Sequence, residues 1–267
     1  MTSPLASAFD LVIFDWAGTM IDFGSRAPVL ALVGAFAAKG VEVTEAQARV
    51  DMGMAKVDHV KAMLRNADVA DAWRKVHGAD PIDADAAEIM AVLRRPMLDA
   101  AKRSATLIPG AADTVAELRA AGLKIGSSTG YTREMMRPVL QRAAKQGYEP
   151  DHLVCAGDTA EGRPSPLMVF KACAELGAWP MSRVVKVDDA EVGVAEGRNA
   201  GCLTVGIAAS GNTVGLTAEA LAALDPVDRA ERIALAGERL LDAGADLVID
   251  TVADLVPALT AAAELRE

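Results

Sequence analysis

LVIFDWAGTMIDFGS, residues 11–25, is the stretch on which the reading of this chain turns. Four apolar residues run into Asp15 and a glycine-containing loop follows, the pattern of a fully buried strand whose carboxylate emerges at the edge of a sheet. Asp15 suits a nucleophile for phosphoryl transfer there. It suits a turn aspartate that caps local amides equally well. The position two residues on is Ala17, which carries no acid.

Similar runs recur at LKIGSST, HLVCAG, RVVKVDD, LTVGIA and DLVID, and each reads as a buried strand. Helical patterns lie between the later ones, at AADTVAELRAAG, TREMMRPVLQRAAKQG, SPLMVFKACAELG and EVGVAEGRNAG. Such alternation predicts an α/β fold: a doubly wound parallel sheet covered on both faces, with ligands outside the carboxyl ends of its strands. Residues 25–104 break the pattern, because strand-like runs vanish and helical periodicity takes over. Within them APVLALVGAFAAKG closes on a glycine, and Thr44 and Gln47 have capping-box spacing. We therefore expect an α/β core from residues 1–24 and 105–267, interrupted by a helical cap at 25–104. The Ala- and Gly-rich segment from Ala208 to Gly215 reads as an exposed loop.

The composition narrows the function. With 267 residues, 52% of them apolar but only 4% aromatic, the chain can bury a large core of mainly aliphatic side chains. A net charge of -10 excludes broad electrostatic attraction to nucleic acid or an anionic membrane, so an anionic substrate needs a locally positive pocket. Cys155, Cys173 and Cys202 are odd in number and lack CxxC spacing, which argues for apolar fillers rather than disulfides or zinc ligands. MTSPLASAFD has no positive region or long apolar segment, and no later stretch is apolar enough to span a bilayer, so the cytoplasm is the expected compartment.

A second strand ends in SSTG, bringing Ser128 or Thr129 and several backbone N–H groups to the same edge, where phosphate oxygens could be held. A later one ends in VDD, which adds Asp188 and Asp189, although a helix N-cap would also explain Asp188. Carboxylates ending separate parallel strands should converge, and a hard divalent cation such as Mg²⁺ explains how they tolerate one another. These residues resemble the haloacid dehalogenase superfamily, whose phosphotransferases carry an Asp nucleophile in an early DxD pattern, a Ser or Thr after the next strand, a Lys or Arg, and a late acidic pair. The resemblance leaves the substrate open.

The cap narrows it. In MGMAKVDHVKAML the apolar face runs through Val57, Val60, Met63 and Leu64, while Lys56 and His59 are neighbours three apart and Lys56 borders the apolar stripe. Burial disfavours an ammonium, so Lys56 could be an amine nucleophile toward a carbonyl. A snorkelling lysine is the ordinary alternative, as a helix-surface or core-edge role is for His59. An alkoxide leaving group needs a general acid, which Ala17 cannot provide. If a lysine instead forms an imine with an aldehyde two bonds from phosphorus, the carbon departs as an enamine and no acid is needed.

FDWAGTMIDFGS, MGMAKVDHV, IGSSTGYTREMM, GRPSP and EGRNAG together resemble the phosphonatase branch of that superfamily. The resemblance implies Mg²⁺-dependent hydrolysis of the carbon–phosphorus bond of phosphonoacetaldehyde, and a homodimer formed through the cap. It implies Asp15 as nucleophile, Lys56 as Schiff-base residue, and Asp15, the Ala17 carbonyl and Asp189 as metal ligands. Met52, Gly53 and His59 fall beside the lysine; Thr129, Gly130 and Tyr131 form the phosphate-side loop; Arg163 matches the phosphate-binding arginine, with Lys186 as a rival. Two positions depart from the pattern. Ser25 replaces a cysteine found in some members, and Gly193 stands where many carry a further acid, which Asp188 or Glu191 would have to supply. A phosphate-ester phosphatase or phosphomutase is the alternative that Ala17 disfavours, a dehalogenase would need no metal, and a phospho-ligand-binding regulatory protein would bind without turnover.

Overall fold

The computed structural model describes residues 4–266. After a short N-terminal helix, α1 (Pro4–Ala8), the first strand β1 (Leu11–Phe14) is wholly buried, as its unbroken apolar run requires. Five helices follow without a strand: α2 (Arg26–Ala37), α3 (Glu45–Arg49), α4 (Lys56–Arg65), α5 (Ala67–His77) and α6 (Asp83–Arg103). The chain then alternates through α7 (Ala111–Ala120), β2 (Lys124–Thr129), α8 (Arg133–Ala144), β3 (His152–Cys155), α9 (Leu167–Leu176), β4 (Val184–Asp188), α10 (Glu191–Ala200) and β5 (Leu203–Ile207). Two helices, α11 (Ala218–Ala222) and α12 (Pro226–Ala243), lead to β6 (Leu247–Ile249) and the closing α13 (Leu255–Glu264).

All pairings in the sheet are parallel, in the order β3-β2-β1-β4-β5-β6. The order reverses direction at β1, which leaves a crevice at its carboxyl end. Side chains alternate across the sheet: Leu11 and Ile13 join the cluster with Met168, Val169 and Ala172 of α9, while Val12 and Phe14 join the larger cluster that includes Val115 and Leu118 of α7. Cys155, Cys173 and Cys202 are free and buried.

The helical segment opens with the expected capping box: Gln47 N donates to Thr44 Oγ1 and Thr44 N to Gln47 Oε1, at 3.1 and 2.8 Å. On α4 the buried face differs from the one expected. It comprises Lys56, His59, Val60, Met63 and Leu64, whereas Val57 is 43% exposed. Positions 56, 59, 60 and 63 lie at i, i+3, i+4 and i+7, so they form the middle of one stripe and Val57 falls at its edge.

The segment from Ala208 to Gly215 is a loop, but a buried one, contrary to expectation. It follows β5 at the carboxyl edge of the sheet and is packed under the residue 15–25 loop. Ser210 Oγ donates to Gly18 O at 2.7 Å and Gly24 N to Ser210 O at 2.7 Å. Small residues are needed there because another backbone comes close: a Cβ on Gly24 would stand 2.2 Å from Leu216 O.

Candidate active site

Asp15 is the first residue beyond β1, its N–H donating to Val187 O of β4 at 3.0 Å, so the adjacent strand fixes where its carboxylate leaves the sheet. Asp188 ends β4 and Asp189 follows it. Carboxylate oxygens of Asp15, Asp188 and Asp189 lie within 4.8 Å of one another, all buried. Thr19 Oγ1 and Asn212 N donate to the two oxygens of Asp189, at 3.1 and 2.8 Å. Burial, reinforced by Asp15 and Asp188, pushes the Asp189 carboxyl well above its usual range. A donor set made only of hard oxygens, too crowded for its own negative charge, fits a hard divalent cation, and Ala17 lines the same cavity.

Two cations lie beneath the acids. Arg163 places Nη1 2.8 Å from Asp15 Oδ1 and 3.4 Å from Asp188 Oδ2, Nε 3.0 Å from Glu196 Oε2, and Nη2 2.8 Å from Ser128 O. Lys186 places Nζ 2.5 Å from Asp188 Oδ2 and 3.6 Å from Glu196 Oε2. Burial works against the charge on Asp188, but Arg163 and Lys186 outweigh it and hold that carboxyl below the usual range. At Asp15 burial wins, aided by Asp188 and opposed by Arg163, and the carboxyl rises to about 6. Removing one partner of so buried a network would cost about 3–5 kcal/mol, because the other charges stay behind unpaired.

The helical segment closes over this edge. Lys56 is the first residue of α4 and is 6% exposed; burial lowers its amine from 10.5 to about 8, against the pull of Asp15. The positive end of the helix dipole acts in the same direction. Lys56 Nζ lies 3.7 Å from Met52 Sδ. His59, one turn on, is fully buried, and burial, with the neighbouring Lys56 charge, drops it to about 3 against a weaker pull from the Ala48 backbone, so the ring is neutral. Gly53 and Gly130 let the two layers touch: a Cβ on Gly130 would meet Gly53 O at 2.6 Å, and Gly53 itself has φ +98.

Asp15, Ala17, Met52, Gly53, Lys56, Thr129, Gly130, Tyr131 and Asp189 therefore surround one cavity of about 330 Å³ including its mouth, together with Ser25 and Asp188. Tyr131 N donates to Thr129 Oγ1 at 3.1 Å, shaping the turn after β2. Arg163 and His59 do not line it: Arg163 stands behind Asp15, gripping it, and His59 lies behind Lys56. Lys186 is likewise sealed beneath Asp188. At Gly193 the structure leaves no room for an acid, since a Cβ there would lie 2.1 Å from both Cγ and Oδ2 of Asp188. The Asp188 carboxylate fills that volume, whereas Glu191 is only half-buried and lies outside the acidic group. Sequence reading missed Glu196, Thr19 and Asn212. Glu196 had a signal, an acid on the face of α10 turned to the sheet; Asn212 had none.

A family model of haloacid dehalogenase-like hydrolases matches residues 9–201. The phosphonoacetaldehyde hydrolase of Paraburkholderia xenovorans (strain LB400) is 46% identical over 246 residues, 92% of this chain and 92% of that protein. The phosphonoacetaldehyde hydrolase of Bacillus cereus (strain B4264) is 42% identical, covering 92% and 93%. Among solved structures, a phosphonoacetaldehyde hydrolase-like protein from Oleispira antarctica superposes with a TM-score of 0.94 at 40% identity, over 96% of this chain and 93% of that one.

Proposed function

The chain belongs to the haloacid dehalogenase-like hydrolase family, and we propose that within it this protein hydrolyses the carbon–phosphorus bond of phosphonoacetaldehyde to acetaldehyde and phosphate. The observation that carries the mechanism is a lysine and an aspartate facing one cavity from opposite layers, with Ala17 where an ester-cleaving enzyme would need an acid.

Lys56 Nζ attacks the aldehyde carbon and water leaves, giving a protonated imine. Asp15 attacks phosphorus in line; the electron pair of the C–P bond passes into the iminium, which becomes an enamine, while phosphorus stays on Asp15 as an acyl phosphate. Protonation of the enamine carbon and addition of water release acetaldehyde and free Lys56. A second water cleaves the acyl phosphate, so one water is consumed overall. An amine near 8 supplies a useful neutral fraction at pH 7, and His59, neutral and one turn away, can pass the amine's protons. Arg163 steadies Asp15, and Thr129, Gly130 and Tyr131 line the phosphate side of the cavity. Mg²⁺ held by Asp15, Asp189 and the Ala17 carbonyl would neutralise charge gathering on the phosphoryl group. Met52 and Gly53 shape the aldehyde end of the cavity.

Residues 25–104 serve as the cap and the remainder as the core. The dimer we propose forms through the cap, where Leu30 of the apolar helix α2 is 51% exposed on the same side as exposed Gly34 and Ala37. No helix among the described residues is long and apolar enough to cross a membrane, and we place the enzyme in the cytoplasm. The deciding assay measures acetaldehyde and phosphate released from phosphonoacetaldehyde beside a panel of phosphate esters. Faster turnover of any ester would favour the phosphatase reading instead.

A further inference from the structure

Arg49 ends α3 in the cap, yet its guanidinium leaves the cap. Nη1 donates to Gly24 O and Asn212 O at 3.0 Å each and to Asn212 Oδ1 at 3.1 Å, and Nη2 donates to Gly215 O at 3.2 Å. The grip is returned, for Asn212 Nδ2 donates to Arg49 O at 3.0 Å. Gly215 is shaped to the contact: its φ is +65 and a Cβ there would lie 2.6 Å from Arg49 Cζ. The backbone N–H of the same Asn212 holds Asp189 Oδ2 at 2.8 Å. In the other direction, Met52, Gly53 and Lys56 follow Arg49 by three, four and seven residues. One reciprocal pair thus joins the stretch that delivers the lysine to a carboxylate at the sheet edge.

We propose that Arg49 and Asn212 are positioning residues that set the register of Lys56 against the Asp15 and Asp189 carboxylates, an inference that rests on the imine mechanism above. The aldehyde carbon and phosphorus of the substrate are two bonds apart, so the cap nucleophile and the core nucleophile must be correct together. The chain crosses between the layers at residues 24–25, and Arg26 Nη1 also donates to Gly215 O at 3.0 Å, but a peptide link and one bond leave the layers free to slide, whereas a planar fork that binds four acceptors on two loops restricts sliding in a way a lysine could not. Imine formation needs only Lys56 and an aldehyde; C–P cleavage needs both layers in register. Losing the pair should separate the two steps.

The test uses Asn212→Ala, which keeps the N–H to Asp189, and Arg49→Lys. Both should lower kcat on phosphonoacetaldehyde about a hundredfold, the cost of roughly an ångström of misplacement. Borohydride trapping of acetaldehyde on Lys56, read by mass, should proceed at the parental rate in both. Hydrogen exchange without substrate should quicken across residues 50–56 and 210–215. Parental kcat in both variants, trapping that falls in step with kcat, or unchanged exchange would each overturn the proposal. Absence of an adduct in the parent enzyme would instead overturn the imine reading, and exchange would still judge the Arg49–Asn212 link.

Discussion

The Cβ that Gly193 lacks would stand 2.1 Å from Oδ2 of Asp188, so the two positions share a single volume. Asp188 cannot step aside easily, because Lys186 Nζ holds Oδ2 and Ala190 N donates to Oδ1 at 3.1 Å. The chain therefore supplies its third acid from the end of β4 rather than from the first turn of α10.

Exchanging the two positions tests this. Gly193→Ala should cost about 1–3 kcal/mol in urea unfolding through overpacking, and Gly193→Asp should bind Mg²⁺ more weakly than the parent in calorimetry. Adding Asp188→Gly to Gly193→Asp should recover binding that Gly193→Asp alone has lost. If Gly193→Asp alone matches the double variant, the shared volume does not govern the site.

Asp15→Asn should abolish phosphate release from a protein that still folds, though with lower stability because Arg163 loses a charged partner, since an amide of the same shape cannot attack phosphorus. Borohydride should still trap the phosphonoacetaldehyde imine on Lys56 in this variant, with phosphorus retained in the adduct mass. A variant that still released phosphate would remove Asp15 from the nucleophile's role.

Lys56→Met should be inactive and more stable than the parent at pH 7. Burial lowers the amine from 10.5 in the unfolded chain to about 8, so below pH 8 the folded state carries the whole penalty, about 3 kcal/mol. Between pH 8 and 10.5 the penalty shrinks, because the folded lysine is already neutral while the unfolded one loses its proton; above that it is gone. Urea unfolding at pH 7 and pH 9.5 should show a smaller gain at the higher pH. An equal gain at both would mean that the stabilisation comes from packing alone.

Chelation should remove activity and Mg²⁺ should restore it, for four buried acids, Asp15, Asp188, Asp189 and Glu196, stand against Arg163, Lys186 and Lys56, whose amine burial lowers to about 8. Calorimetric Mg²⁺ binding should disappear in Asp189→Asn, whose carboxylate the network otherwise pushes toward protonation. Full turnover after rigorous metal removal would support dehalogenase-like chemistry.

The sequence by itself determined the sheet and its ligand-binding edge. Six buried runs separated by helical periods leave few ways to cover apolar strands on both faces, and Asp15, Thr129, Asp188 and Asp189 fall at strand ends in any of them. It also made the absence of an acid at Ala17 and the lysine beside an apolar stripe legible, because both are local patterns. What only the tertiary structure decided is how distant segments share space. Val57 gave way to Lys56 and His59 because the burial of α4 depends on what covers it, and Ala208–Gly215 became buried because another loop lies across it. Arg163 turned out to grip Asp15 from below, Glu196 to brace Arg163, and Asn212 to join Arg49 to Asp189. These are contacts between residues tens to hundreds of positions apart; period and spacing carry information only within one element, so no local pattern could hold them.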